Sequence, residues 1–189
     1  MSPSRTFSAG SRGAGALEFA FAAPLLLGLL LAMVDLGRYL VSAQLAAASA
    51  TAVADLASQT ERFTPEMDPA AVVTGREVAV LAQAAAEVAR PVDLTAEGAI
   101  IVTVITNRGN GPEVAWTRRW GRSDIRSVVG PGALRGVPLP SGDSAVFAEV
   151  AGTFRPWLLS GSLLGLKEAF EYRSISVRRP RLGGPTVSA

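Results

Sequence analysis

The sequence predicts an α+β fold: a long N-terminal transmembrane helix extending into the periplasm, a second helix, and a small four-stranded antiparallel sheet. Three observations predict it. Phe19 to Val34 is a run of sixteen residues without a charge. Apolar positions then recur at helical spacing as far as Leu56. Four β-branched or alternating stretches follow, separated by Gly- and Pro-rich segments. At 189 residues the chain has room for one modest domain beside an anchor.

The anchor comes first. Extended back to Ala14, the apolar run covers 21 residues and is interrupted only by Glu18; a helix needs about 20 to cross the hydrocarbon core. Its six leucines between Leu25 and Leu31 favour insertion by roughly 3 kcal/mol. Arg5 and Arg12 precede the run with no acid among them, whereas Asp35 and Arg38 cancel after it. The positive-inside rule therefore expects the N-terminus in the cytosol and the residues beyond position 40 outside. The run exceeds the apolar core of a signal peptide, and Ala46 to Ala50 lie too far downstream for a usual cleavage site. Pro24 removes one backbone hydrogen bond and is expected to kink the helix. Gly28 reads as a packing notch.

Helical spacing continues through Leu36, Tyr39, Leu40, Ala43, Ala46, Ala50, Val53 and Leu56. One helix from Ala14 to about Ala57 would be about 66 Å long, half in lipid and half beyond it. Thr60 to Asp68 reads as a loop. Asp68 and Pro69 then supply a helix cap and first position, and Arg90-Pro91 ends the amphipathic stretch. The strands are expected at Ala99–Thr106, Glu113–Trp120, Ser144–Phe154 and Glu171–Arg179. The first two form a hairpin around Asn107 to Gly111, and Gly152 marks a candidate bulge. Gly121 to Gly142 reads as a long surface loop, and Pro156 to Gly165 as an apolar connection. The sheet is expected to pack on the second helix or on the outer half of the first.

Composition excludes much chemistry. The chain has no Cys and no His, which removes disulfides, thiolate nucleophiles, Cys/His zinc sites and histidine-based triads. Lys167, the one lysine, lies near Ser160 and Ser162, but a surface lysine beside a loop serine explains that arrangement. Glu66 and Asp68 are too few oxygens for a calcium site. No phosphate-binding glycine loop or dinucleotide fingerprint occurs. Neither a cofactor nor a metal is expected. Residues 1–97 hold six Arg against ten acids, and residues 98–189 hold eleven Arg and one Lys against six. No nucleic-acid-binding motif accompanies that basic half, so nucleic acid is not an expected partner. Arg118, Arg119, Arg122 and Arg126, interleaved with Trp116 and Trp120, form a possible partner patch; a half-exposed strand with snorkelling arginines is the alternative.

Glu18 needs its own explanation, because a carboxylate in an apolar helix is costly. It lies about 6 Å along a helix starting at Ala14, within reach of water at the membrane edge. The surrounding run R-G-A-G-A-L-E-F, Arg12 to Phe19, resembles the processing site of type IV pilins and pseudopilins. That resemblance implies cleavage by a prepilin peptidase between Gly13 and Ala14, with Glu18 the fifth mature residue. It also implies that Glu18 serves assembly by compensating the new ammonium at Ala14. The anchor, with Pro24 and D-L-G-R-Y-L from Asp35 to Leu40, is similar to the TadE/TadF/TadG group of the tight-adherence (Flp, type IVc) pilus system. V-A-W-T-R, A-E-V-A-G-T-F-R-P and R-R-P-R are fainter echoes. The length favours TadE or TadF over the larger TadG.

The resemblance implies a leader at 1–13, a membrane anchor and helical extension at 14–58, and a periplasmic α+β domain at 59–189. The implied role is that of a minor pseudopilin of the inner membrane, acting in pilus assembly and not an enzyme. Its partners would be the prepilin peptidase, other pilins or pseudopilins, the assembly platform and membrane lipid. The alternatives are an unprocessed membrane-anchored binding subunit of another envelope machine, and an envelope enzyme held by one helix.

Overall fold

The computed structural model describes residues 10–59, 76–94, 96–134, 138–157 and 169–180. Helix α1 is Gly10–Ser58 and helix α2 is Arg76–Val88. The strands are β1 Gly98–Asn107, β2 Pro112–Gly121, β3 Ser144–Phe154 and β4 Phe170–Arg178. They form one antiparallel sheet in the order β2-β1-β3-β4. The α+β class, the hairpin and all four strands agree with the sequence reading. The helix start at Asp68-Pro69, and Glu66, Ser160, Ser162 and Lys167, lie outside the described residues.

α1 runs for 49 residues, about 74 Å at the usual rise. Its outer half and α2 cover one face of the sheet. α1 brings Ala46, Ala50, Val53, Ala54 and Ala57 to this core, α2 brings Leu81 and Ala85, and Ala89 follows just past the end of α2. Small side chains let the two helices approach closely, and the buried Ser49 Oγ donates to the carbonyl of Ala85 at 3.1 Å. Beneath them lie Ile100, Val102 and Val104 of β1 with Val146, Ala148 and Val150 of β3. The sheet thus packs chiefly on the outer half of α1, and α2 lies against α1 and adds side chains to the same core, where the sequence left the choice open.

β1 is buried along nearly its whole length, on both faces. That explains its unbroken apolar run, A-I-I-V-T-V-I-T, in place of alternation. Its second face requires a cover, and the segment read as a surface loop supplies it. Ile125, Leu134 and Leu139, from the stretch between β2 and β3, are buried against Ala99, Ile101, Ile105, Ala145, Phe147 and Ala151. Leu134 closes a short 3-10 turn, Pro131–Leu134. The Gly and Pro content of the segment reflects its irregular path, while three spaced apolar residues do the packing.

Glu149 fastens this cover. It points to the second face and is only 1% exposed. Its carboxylate accepts from Ser127 Oγ at 2.6 Å and from the Val128 N–H at 3.1 Å, and it pairs with Arg173. Arg173 also donates to Glu171 at 2.7 Å and to the Arg126 carbonyl at 3.0 Å. The bonds from Ser127 and Val128 and to the Arg126 carbonyl tie the segment to β3 and β4. At the other end Asn107 Nδ2 donates to the Leu139 carbonyl at 2.7 Å, and its Oδ1 accepts from Gly109 and Gly111 in the hairpin turn.

Gly152 is not a bulge: β3 keeps register through it, opposite Gly98 on one side and Tyr172 on the other. A Cβ there would stand 2.5 Å from Tyr172 Cζ, so the glycine makes room for the buried ring. The register shift falls instead on β2, where Ala115 is the extra residue between the partners of Val104 and Ile105. Gly121 is required for a different reason, since it has φ +90° and a Cβ would meet the Gly98 carbonyl at 2.4 Å.

Removing the Glu149 carboxylate strands Ser127, Val128 and Arg173 together. Glu149→Ala should destabilise the full-length protein in detergent micelles by about 3 kcal/mol, the lower part of the range for breaking a buried pair. Glu149→Gln, which keeps an acceptor, should cost less. Urea unfolding followed by circular dichroism measures both; an alanine variant as stable as wild type would show that the cover is held by its apolar residues alone.

Candidate functional site

The first candidate region is the start of α1. Gly13 and Glu18 both lie on this helix and both are exposed. Five residues separate them, about 7.5 Å along the axis. From Leu17 to Val34 the helix exposes large apolar side chains on all sides, including Phe19, Phe21, Leu25, Leu27, Leu30 and Met33. None of its most apolar stretch is covered by the other described residues, and by length and composition this is the one helix fit to span a membrane among them. The helix continues through Pro24 without interruption. Such a surface suits hydrocarbon, or the apolar helices of neighbouring subunits.

The second region is where this shaft meets the domain. Asp35 is the first charged residue after the apolar run, and it is 2% exposed. Its Oδ1 accepts from Arg38 Nη1 at 3.2 Å and from the Trp157 backbone N–H at 3.1 Å. Arg38 lies between two rings, its Cζ 3.7 Å from the Trp157 centroid and 5.2 Å from that of Phe154. Tyr39 meets Phe154 edge to face at 5.7 Å. One turn of α1 is thereby clamped to the end of β3. Further out, Arg178 Nε donates to Asp55 at 2.6 Å, tying β4 to the same helix.

The arginine–tryptophan cluster of β2 is not one patch. Alternation along the strand sends Trp116 and Trp120 towards the helix-covered core, with Arg118 over the Trp116 ring at 6.0 Å. Arg119 faces the other way and donates to the Ile125 carbonyl at 3.3 Å. Arg122 leaves the strand, binds Thr153 Oγ1 at 3.1 Å and pairs with Asp124. That hydrogen bond holds the exposed Asp124 carboxyl below its ordinary range. Arg126 is exposed, and its carbonyl accepts from Arg173.

Sequence reading passed over Asp35 and Glu149 as sites. Asp35 was visible only as a charge that Arg38 cancels. Glu149 is an acid in an otherwise apolar strand, and that was the one available signal. Tyr172, which fills the notch at Gly152, is also buried; burial first, then the charge of Glu97, raises its phenol above the ordinary value.

These features define a class: an α+β domain built onto the outer half of a helix that has the length and composition of a membrane anchor. Residues 13–55 match the family model described as TadE-like protein. The match begins at Gly13 and ends inside the half of α1 that packs on the sheet, so the TadE-like resemblance holds across anchor and junction alike. No curated protein and no solved structure matches the chain.

The two helix-to-sheet ion pairs should differ sharply. Asp35→Ala leaves Arg38 and the Trp157 N–H without their buried acceptor, at a cost of about 3 kcal/mol, the low end for a buried pair because Arg38 is 35% exposed. Asp55→Ala breaks a pair whose side chains are each 41% exposed, worth about 0–1 kcal/mol. Thermal unfolding in micelles should rank them in that order, and equal shifts would mean that the junction is not clamped by Asp35.

Proposed function

We propose that the protein is a minor pseudopilin-like subunit that acts in assembly of tight-adherence (Flp, type IVc) pili. In this reading a prepilin peptidase removes residues 1–13 on the cytosolic side, and α1 anchors the mature chain in the inner membrane. The α+β domain then stands in the periplasm. The observation that carries the reading is the TadE-like match starting at Gly13, with Glu18 five positions on and a fully exposed apolar shaft behind it.

The physical steps follow from those residues. Gly13 adds no bulk before the scissile bond. Cleavage creates an ammonium at Ala14, and Glu18, one helical turn on, compensates it within the chain or on a neighbour. In an apolar bundle that pair sets the register of adjacent shafts only when both charges are present. The exposed leucines supply the lateral contact with other pilins or pseudopilins. The Asp35 clamp makes shaft and domain move together, so the assembly platform acting on one acts on the other. The role is structural, with no reaction carried out by the chain itself.

Processing and assembly separate by mutation. Gly13→Val should leave a precursor heavier by thirteen residues. Glu18→Ala should still be cut but should fail to support piliation. Gel mobility, N-terminal sequencing and surface pilus counts read the two effects. A mature chain that keeps Met1 or Ser2 favours the unprocessed binding subunit; normal maturation of Gly13→Val, or wild-type pili from both variants, contradicts the pseudopilin reading.

A further inference from the structure

The end of the domain nearest the apolar shaft carries a cleft of about 570 Å³ between α1 and the chain entering β1 and leaving β3. Arg38, Arg122 and Arg155 line it, and Glu97 is the one carboxylate among its described lining residues. Arg38 is engaged by Asp35, and Arg122 by Asp124 and Thr153. Arg155 is exposed and has no acidic partner among the described residues. At the cleft's edge stands Trp157, 70% exposed although large and apolar. Beside it a hollow of about 310 Å³, apolar except for the buried Asp35, is bounded by Leu36, Tyr39, Phe154, Pro156 and Phe170. The two cavities share Phe154 and Pro156.

Their height is set by the helix. Val34 ends the uncharged run and Arg38 follows four residues later, about 6 Å further along the axis. The headgroup layer on each side of a bilayer is about 5–7 Å thick. Arg38, Arg155 and Trp157 therefore stand at headgroup level when α1 spans the membrane. An exposed indole beside a guanidinium is the arrangement that this layer favours.

We propose that the cleft binds the headgroup of a membrane phospholipid, with Arg155 on the phosphate, Glu97 on a headgroup ammonium, and the apolar hollow taking the start of an acyl chain. Arg38 and Arg122 are already neutralised by Asp35 and Asp124, which leaves Arg155 for a phosphate and Glu97 for a cation, the two opposite charges that a zwitterionic headgroup carries. Glu97 distinguishes phosphatidylethanolamine, whose ammonium donates hydrogen bonds, from phosphatidylcholine, whose methylated nitrogen cannot. The site would seat the domain on the membrane surface at a fixed height, without adding to the bonds inside the domain. It rests on the reading that α1 spans the bilayer.

The test uses the full chain in nanodiscs of mixed phosphatidylethanolamine and phosphatidylcholine, released into a mass spectrometer that counts retained lipids. Wild type should retain phosphatidylethanolamine preferentially. Arg155→Gln should lower retention about tenfold, the factor of one charge-assisted hydrogen bond, and Arg155→Lys should restore most of it. Glu97→Gln should remove the preference between the two lipids while leaving phospholipid retained. A chain that enters the nanodisc but retains no phospholipid, or retains it equally as Arg155→Gln, overturns the site while leaving the anchor intact. Displacement of the lipid by inorganic phosphate would assign the cleft to a soluble anion and overturn the proposal. A chain that does not enter the nanodisc overturns the spanning reading itself, and the site with it.

Discussion

Everything in this molecule depends on one helix serving two environments. The first half of α1 exposes Leu, Phe and Met in every direction, and the second half presents Ala46, Ala50, Val53, Ala54 and Ala57 to a sheet. The change follows from side-chain size. Bulky residues all round a helix gain from lipid contact, whereas a stripe of alanines gains little from lipid or water but lets a sheet and a second helix approach closely. The four strands could not bury their helix-facing side without that stripe, so anchor and domain form one structural unit.

Much of this was legible in the sequence, and the reasons are local. The anchor-like helix is visible because sixteen uncharged residues run in succession, and from Ala14 to Val34 the stretch reaches the length that crosses a bilayer. β3 is readable to the residue because Ser144 and Phe154 bound a largely apolar run that follows a Gly- and Pro-rich segment. The cover over the second face was not readable. Ile125, Leu134 and Leu139 are spaced irregularly among Gly and Pro, and neither helical nor strand periodicity singles them out. The division of the Arg/Trp cluster was hidden for a related reason: proximity in sequence along a strand means alternate faces, so neighbours such as Arg118 and Arg119 end on opposite sides. Gly152 was assigned to the wrong device because strand glycines serve both bulges and close approaches, and only Tyr172 on the neighbouring strand decides between them.

Two buried carboxylates organise the polar side of the fold. Asp35 joins α1 to the end of β3, and Glu149 joins β3 and β4 to the covering segment. Both accept from a backbone N–H and pair with an arginine. Within the basic C-terminal half, Arg119, Arg122, Arg173 and Arg178 all make bonds inside the domain, which tempers any reading of that half as a binding surface. Arg155, which has no acidic partner among the described residues, stands out against that background, at the junction and beside an exposed tryptophan.

The central claim, one helix passing from lipid into a protein core, meets its most direct test in cysteine scanning, since the chain has no Cys of its own. Single cysteines along α1 are exposed to a membrane-impermeant maleimide in intact vesicles holding the full-length protein. Between Leu25 and Val34 no position should react, whichever way it faces. Beyond the junction, Ala47, Ala48 and Thr51 should react, while Ala46, Ala50, Val53 and Ala54 remain protected. Reaction at Leu25 to Val34 on any face, or uniform reaction from Ala46 to Ala54, would contradict the account.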